Sequence, residues 1–486
     1  TIVICVGTGI AASIVYWGIH RALADDGYIT LAYAKTLAFH GTWGMVPHHP
    51  ANSATSPLNV LLLAAGTAVT RRPLLALGFV FVASNVIIAW TTARTARRLG
   101  ISQLTAVFAV AIILFNPFVL SSTGLESIVI AAMLAALLCC TVEERPAAFG
   151  IVAGLALLTR LDLLIFVVPL FLSSRLLLRR WLTVIGITAA VTAPWFVPRW
   201  LINGSAIPDT FVIKTLQQQW GTNTFANGTT RFMDWFGAKA RTSFAIFLLG
   251  GFVILGWIVF TLIRDHRLDR RFLPVIALAV GAGAYFAAYS ALGVPPYHWY
   301  YCPTIAGASI AVDVTIGVIA QRIGRATHHP NWAALCFLPL AALLVGQMLV
   351  IQHHGFPWRK EPIVYFNWAE PGHYKTMAKL LHDRVGDKTV YAGGEIGALA
   401  FYCECNIIDS FADSRFDVPM IDERIDKAGP VVRWLLKLNY RQLDRDVGPP
   451  IAQYRLVWEP GWVADPDTYD VYSSWRGFGH FRLLPG

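Results

Sequence analysis

Two adjacent carboxylates follow the first apolar segment of the chain. Asp25 and Asp26 stand just beyond residues 2–20 and open a polar loop. A carboxylate beside a long apolar segment costs desolvation energy, so such a residue usually has a function. Partial burial raises the pKa of a carboxyl group, and a raised pKa suits a general base. The pair predicts a base, alone or with a divalent cation (Mg²⁺ or Mn²⁺). The alternative is an acidic cap that only ends a span.

The same loop continues with a run of hydrogen-bonding side chains. They precede a short apolar stretch at 57–69 and comprise His48, His49, Asn52, Ser53, Thr55 and Ser56. This mixture suits recognition of a hydroxyl-rich ligand, although a polar loop without a ligand has a similar composition. The two histidines have no partner at a zinc-ligand spacing, so we expect no zinc site.

Further charged residues interrupt later apolar segments. Glu126 begins one of them, where it would otherwise only complement a helix dipole. Arg160 and Asp162 break another apolar run, and Lys214 follows in a later loop. Because the guanidinium fork matches phosphate oxygens, Arg160 is a candidate phosphate ligand, with Lys214 as a second cation.

An aromatic stretch occupies residues 295–301, with the sequence Pro-Pro-Tyr-His-Trp-Tyr-Tyr. Aromatic residues are enriched where a protein crosses the membrane–water interface, so an interfacial belt is one interpretation. The other is a surface on which a sugar or a lipid stacks, with His298 as a polar contact and Tyr300 among the rings.

Composition defines the class of protein to which these residues belong. Of the 486 residues, 56% are hydrophobic and only 14% are charged, whereas soluble domains have about 25% charged residues. The formal net charge is +10, but the arginines lie in short blocks between apolar segments, as in cytoplasmic membrane loops. We therefore predict a polytopic membrane protein and no nucleic-acid binding.

The apolar segments and their flanking charges predict a topology. Arg and Lys blocks fall in alternate loops, which places the N-terminus in the cytoplasm of a multi-pass protein of the bacterial plasma (inner) membrane. The stretch 57–69 is too short to span and is read as re-entrant or interfacial, and 29–39 as a helix lying on the membrane. The eleven predicted spans are 2–20, 74–93, 103–120, 124–141, 148–159, 161–173, 181–201, 243–263, 272–292, 300–320 and 332–352.

The tail regains charged and polar residues. Its apolar patterns predict strands at 389–392, 406–409 and 455–458 and a short helix at 396–402. The predicted fold is thus an all-α polytopic membrane domain of about eleven helices, residues 1–352, followed by a small extracytoplasmic α/β domain, residues 353–486.

Seven cysteines occur without a metal-binding spacing. Cys403 and Cys405 would point to the same face of a strand, where a disulfide would be strained. We therefore expect free thiols.

The order of five short motifs resembles the GT-C superfamily of glycosyltransferases. They are Asp25–Ile29, Ala51–Leu58, Ser122–Ser127, Leu158–Asp162 and Pro208–Lys214. Their order and spacing are most similar to the terminal β-(1→2) arabinofuranosyltransferases of mycobacterial cell walls. The resemblance covers roughly residues 1–320 and is weak over the tail.

The resemblance implies a polyprenyl-phosphate sugar donor, such as decaprenyl-phosphoryl arabinose, and a cell-envelope glycan acceptor at the outer membrane face. It implies an inverting displacement in which Asp25 or Asp26 is the base and Arg160 and Lys214 stabilise the phosphate leaving group. A single base suffices, so no cofactor is required. We expect the sugar and the acceptor to contact Tyr28, His49, Asn52, Thr55, Glu126, Asp162, His298 and Tyr300, with the tail closing over the site or binding the acceptor.

Three alternatives stay open. The first is a GT-C enzyme that uses a mannose or another hexose donor. The second is a transporter or flippase for a lipid or glycan. A proton- or ion-coupled transporter normally holds a charge in the middle of a span, and we expect none of the longer spans to do so. The third is a glycan-binding subunit without catalytic activity.

Overall fold

The protein is predominantly helical, as the sequence predicted. The computed structural model describes residues 1–486 except 48, 211, 213, 215–220, 267–268, 328–329, 411, 447, 464 and 466. Helices α1 to α21 of the described residues run over Ile2–Ile19, Asp25–His40, Pro57–Thr70, Pro73–Leu99, Leu104–Leu114, Pro117–Ser121, Ser127–Val142, Pro146–Thr159, Leu164–Leu172, Arg175–Arg179, Trp181–Ile202, Phe225–Phe236, Ala238–Asp265, Leu273–Leu292, Cys302–Thr327, Pro330–Leu335, Leu338–His354, Pro371–Val385, Gly397–Cys403, Val418–Lys427 and Pro430–Asn439.

The apolar helices make this a membrane protein. Within the described residues, six helical segments are long and apolar enough to cross a bilayer: Ile2–Ile19, Pro73–Leu99, Trp181–Ile202, Ala238–Asp265, Arg270–Leu292 and His298–Thr327. The other five predicted spans contain shorter apolar helices of 10–17 residues. The 57–69 stretch forms α3, which has only 14 residues. Each predicted span therefore contains a helix.

Helix α2 links the two parts of the chain. It contains the predicted helix 29–39, but it is covered by α3 on one side and by α19 of the tail on another. Tyr28, Leu31 and Tyr33 are consequently buried. The stretch is helical as expected, yet it packs inside the protein, because the tail domain covers it.

The described part of the tail contains five strands, β1 to β5, at Val390–Ala392, Ile407–Ile408, Tyr454–Pro460, Thr468–Ser473 and Gly477–Pro485. They form a mixed sheet with the order β2-β1-β3-β5-β4. Strand β1 pairs in parallel with β2 and with the central strand β3, whereas β5 is antiparallel to both β3 and β4. The three predicted strands and the short helix are confirmed at β1, β2, β3 and α19.

The expected free thiols at Cys403 and Cys405 are wrong, since the two residues form a disulfide with a Cα–Cα distance of 5.1 Å. Cys403 ends helix α19 rather than lying on a strand. Glu404 adopts a left-handed conformation with φ 57°. This reversal of the chain brings the two side chains together.

The expectation of no mid-span charge is also wrong. Asp313 lies near the centre of α15 and is fully buried. Neither of its carboxylate oxygens has a hydrogen-bond partner within the described parts of the chain. Asp313 is a single acid within a long apolar helix, and the sequence prediction missed it. Because the lack of a mid-span charge no longer speaks against a transporter, that alternative has to be judged on the candidate active site.

Candidate active site

The two adjacent carboxylates at the start of α2 have different surroundings. Asp25 accepts hydrogen bonds from the backbone N–H groups of Gly397 (2.9 Å) and Ala398 (2.7 Å). It therefore caps the N-terminus of α19 and ties the start of α2 to the tail of the chain. Asp26 lines a cavity on the membrane-domain side. Consecutive residues of a helix point about 100° apart, which explains the divergence.

A close backbone contact brings two motifs together at this point. A Cβ atom on Gly27 would lie 3.0 Å from the backbone oxygen of Thr123, and one on Gly124 would lie 2.9 Å from the Cα of Gly27. Gly124 also has φ +103°, which a side chain would disfavour. The two glycines thus let Asp26 lie beside the loop that carries Glu126.

Asp26 and Glu126 line a small cavity of about 70 Å³, here called the charged cavity. Its polar and ionisable lining residues come from six separate segments of the chain. They include Asp26, Thr30, Ser53, Thr55, Ser56, Glu126, Arg160, Thr210, Lys214 and Tyr300.

The charged cavity tunes the carboxyl group of Asp26. Burial raises the pKa of Asp26 above its ordinary value, the positive charge of Lys214 opposes this rise, and the negative charge of Glu126 adds to it. A carboxyl group with a raised pKa is a stronger base once it has lost its proton. Burial also raises the pKa of Asp25, to about 7, so the pKa does not separate the two carboxylates. Asp26 suits a general base because it is the one of the two that lines the charged cavity.

Arg160 is held on several sides by an ionic network. Its guanidinium donates to Glu126 (2.8 Å), Asp162 (2.6 Å) and the hydroxyl of Tyr289 (2.6 Å). It also lies over the ring of Tyr300, 5.5 Å from the ring centre. Buried ion pairs keep their charges only when the geometry satisfies both partners. The network fixes Glu126 and Arg160 at the wall of the cavity.

Lys214 lies in the segment between α11 and α12, where its backbone is helical, and it lines the charged cavity. Its Nζ atom lies 3.9 Å from the centre of the Tyr297 ring. The start of this segment is tied to the polar stretch before α3, because the Asp209 N–H donates to the backbone oxygen of Asn52 (2.9 Å). The hydroxyl of Thr210 donates to the backbone oxygen of Ser53. Lys214 and Asp26 therefore share the lining of one cavity.

A larger cleft of about 590 Å³ opens from the charged cavity toward the tail domain, and is here called the aromatic cleft. Asp26, Ile29, Lys214 and Trp299 line both spaces, so the two are continuous. The aromatic residues of its wall are Trp235, Tyr297, Trp299, Tyr365, Phe366, Trp368, Tyr391 and Trp475.

Glu395 is the acid of the aromatic cleft contributed by the turn after β1. It accepts hydrogen bonds from the backbone N–H of Trp368 (2.9 Å) and from the hydroxyl of Tyr374. Burial, and then the negative charge of Asp25, raise the pKa of Glu395 to about 8. The raised pKa favours the protonated carboxyl group, which can donate a hydrogen bond as well as accept one.

Four of the residues predicted to contact the sugar or the acceptor line one of the two spaces, and the others do not. Thr55, Glu126 and Tyr300 line the charged cavity, and His298 lines the aromatic cleft. Asp162 lies behind Arg160 and is not among the lining residues.

The remaining predicted contacts bind other parts of the protein. The Tyr28 hydroxyl contacts that of Tyr402 at 3.2 Å. His49 Nδ1 lies 2.7 Å from Asp413, and the Asn52 amide donates to Ser205 (3.0 Å). These three residues join the first outer loop to its neighbours. His48 lies outside the described residues.

Sequence reasoning missed most of the aromatic cleft. Trp235, Trp368 and Trp475 belong to segments that are far apart in sequence, so no spacing rule connects them. The one signal was the Gly393-Gly394-Glu395 turn after a predicted strand, which places an acid at a strand end.

The hydrogen bonds of Asp25 show whether a divalent cation would fit between the carboxylates of Asp25 and Asp26. Both carboxylate oxygens of Asp25 are occupied by backbone N–H groups. Since its oxygens serve as a helix cap, Asp25 does not suit a cation shared with Asp26.

Comparison with known proteins adds evidence on the fold. No protein-family model and no curated protein matches the sequence. The apo structure of ArnT from Cupriavidus metallidurans matches with a TM-score of 0.59 and 15% identity, covering 99% of this chain and 97% of ArnT. ArnT bound to undecaprenyl phosphate matches with a TM-score of 0.56, 16% identity and the same coverage.

The arabinofuranosyltransferase AftD from Mycobacteria also matches, with a TM-score of 0.53 and 13% identity. The match covers 99% of this chain but 40% of AftD. At such identities the likeness establishes the fold alone. The GT-C fold expected from the motifs is confirmed.

Proposed function

We propose that this GT-C chain is an integral membrane glycosyltransferase. It transfers a sugar from a polyprenyl-phosphate donor to a cell-envelope glycan at the extracytoplasmic face. The observation that carries the proposal is the charged cavity. There the Asp26 carboxyl group, whose pKa is raised, shares the lining with Lys214 and Arg160, and the aromatic cleft adjoins the cavity. A base, cations for a phosphate and a surface for sugars are the three parts that such a transfer needs.

The reaction is an inverting single displacement with Asp26 as the base. The acceptor hydroxyl oxygen attacks the anomeric carbon while the bond from that carbon to the phosphate oxygen breaks. Polyprenyl phosphate leaves with the bonding electron pair, and Asp26 takes the proton of the acceptor hydroxyl. Because phosphate is a stable anion, the leaving group needs no proton.

Lys214 and Arg160 have different parts in this scheme. Lys214 lies between α11 and α12, where its backbone is helical, and lines both spaces, so it suits the phosphate whose charge grows as the bond breaks. Arg160 already pairs with Glu126 and Asp162. Because these two carboxylates balance its positive charge, its main part is to orient Glu126 toward the sugar, and Lys214 is the principal cation for the phosphate.

The aromatic cleft is the proposed acceptor site. Its tryptophan and tyrosine rings suit stacking against the apolar faces of sugar rings, and Glu395, His298 and Asp409 supply polar contacts. The tail domain builds one wall of the cleft, which supports a role for the tail in binding the acceptor glycan.

The proposed sugar is arabinofuranose. Two observations support it: the motif order of Asp25–Ile29 through Pro208–Lys214 and the fold likeness to the mycobacterial AftD. The likeness to ArnT bound to undecaprenyl phosphate supports a polyprenyl-phosphate carrier.

The test uses the purified full chain in detergent with an arabinan oligosaccharide and synthetic polyprenyl-phosphoryl arabinofuranose. We expect a product one pentose heavier by mass spectrometry. Transfer from a mannose donor alone would keep the reaction and replace the sugar. Silence with every donor, together with lipid movement across liposomes, would favour the flippase alternative.

An arm of the same assay with EDTA tests for a cation. We expect transfer to persist, because Asp26 acts without a shared metal and Lys214 supplies the charge that the phosphate requires. Loss of transfer that Mg²⁺ or Mn²⁺ restores would contradict this part of the scheme.

A further inference from the structure

One helix of the tail domain presents an apolar face that the rest of the chain leaves uncovered. Helix α21 exposes Val431, Trp434, Leu435 and Leu438, which recur at helical spacing along one side. Trp434 is 64% exposed and Val431 is 71% exposed. A water-soluble surface rarely carries so many large apolar residues in ten positions, so such a face indicates an interaction site.

The opposite side of α21 is part of the protein core. Leu436 and Tyr440 pack with Ile421 and Ile425 of α20 and with Val212 of the outer loop. The helix therefore has an inner face that is already buried and an outer face that is not.

The position of α21 indicates what covers that outer face. Trp200 Nε1 donates to the backbone oxygen of Leu438 (3.0 Å). The Asn439 side chain accepts from the N–H groups of Ala206 (3.0 Å) and Ile207 (2.9 Å). These contacts fix α21 at the predicted outer end of α11, where that span leaves the bilayer.

Helix α11 is largely uncovered by the rest of the protein, because only 6% of its most apolar stretch is buried among the described residues. Its end nearest α21 exposes Val197, Leu201 and Ile202. The hydrogen bonds just described place α21 beside this end. Arg433 and Lys437 lie on another side of α21 from its apolar face, as in helices that lie in a membrane interface.

We propose that α21 lies in the outer leaflet of the membrane, with its apolar face among the acyl chains, and anchors the tail domain to the bilayer. The same helix packs on Val212, two residues before Lys214. Anchoring therefore fixes the depth at which the Lys214 loop meets the membrane. The proposal rests on the membrane location of α11 and not on the glycosyltransferase reaction.

The test places a photoreactive residue on each side of α21 in the full-length protein. Leu435→p-benzoylphenylalanine lies on the apolar face, and Lys437→p-benzoylphenylalanine lies about 160° around the same helix and is the matched control. Both proteins are irradiated in nanodiscs of phosphatidylethanolamine and phosphatidylglycerol, and adducts are identified by mass spectrometry.

We expect at least tenfold more phospholipid adduct at position 435 than at 437. Equal labelling, no lipid adduct at 435, or cross-linking of 435 to a second copy of the chain would each overturn the proposal. If the Leu435 variant does not fold, Trp434→p-benzoylphenylalanine replaces it, because an aromatic residue already stands there.

Discussion

The charged cavity and the aromatic cleft share a boundary but are built in different ways. The charged cavity takes its groups from the outer ends of the membrane domain, where Arg160, Glu126 and Asp162 bind one another. The aromatic cleft is closed by the tail, which supplies Trp368, Trp475 and Glu395. In the proposed reaction the charged cavity holds the phosphate of the donor, and the aromatic cleft holds the acceptor. We therefore expect the membrane-spanning part to bind the lipid carrier and the tail to select the acceptor.

The largest expected effect separates the two adjacent carboxylates at this boundary. Asp26→Asn removes the base and should lower kcat about 10²- to 10⁴-fold, since this is the usual contribution of general-base catalysis. The matched change Asp25→Asn alters a helix cap and should leave kcat within about tenfold of the parent while lowering the thermal unfolding midpoint. Transfer assays and thermal unfolding in detergent measure both.

The opposite result would reassign the base. If Asp25→Asn abolished transfer with an unchanged unfolding midpoint, and Asp26→Asn remained active, the division of roles at the start of α2 would be wrong.

The next largest effect is expected at Lys214, the residue proposed to bind the phosphate. Lys214→Met removes a positive charge beside the leaving group and should lower kcat about 10²-fold, the scale found for a single charge-stabilising group. Lys360→Met is the control, because Lys360 is exposed and lines neither space among the described pockets. An acceptor KM that rises while kcat stays constant would instead assign Lys214 to the acceptor.

A smaller effect is expected on the acceptor side. Trp475→Ala removes a ring from the aromatic cleft and should raise the acceptor KM about three- to tenfold without changing the donor KM. Trp462→Ala, a highly exposed ring absent from the cleft lining, is the matched control. A change in the donor KM with Trp475→Ala would remove the distinction between the two spaces.

The smallest effect concerns the pH dependence of stability through Glu395. Burial and the charge of Asp25 raise its pKa from 4.5 to about 8 in the folded protein. Between these values the folded state holds a proton that the unfolded state has released, so stability falls as pH rises through this window. The unfolding midpoint should therefore decrease from about pH 5 to pH 8, and Glu395→Gln should make the decline less steep, while Asp25, Asp209 and Asp417, whose pKa values burial also raises, retain the rest of it. An equally steep decline in the variant would assign the effect to another group.

Much of the fold could be predicted because apolar runs and alternating charge blocks are local signals. Each predicted span contains a helix, and the strands at 389–392 and 455–458 are present. The error at Cys403 and Cys405 arose where a local pattern fitted a strand but the chain formed a helix end. The error at Asp313 came from a single residue within a long apolar run.

The candidate site was only partly predictable. Asp26, Arg160 and Lys214 could be chosen by residue type, yet the sequence could not assign different roles to Asp25 and Asp26. That assignment depends on Gly397 and Ala398, which lie more than 370 positions away. The rings of the aromatic cleft meet only after the tail folds against the membrane domain, so no periodicity predicts them.

The central claim is that the charged cavity binds the phosphate of the lipid carrier opposite Asp26. Cryo-electron microscopy of the protein in nanodiscs with polyprenyl phosphate tests it most directly. We expect phosphate density within hydrogen-bond distance of Lys214, beside Arg160 and facing the Asp26 carboxylate. Phosphate density in the aromatic cleft at Arg476, or away from both spaces, would contradict it.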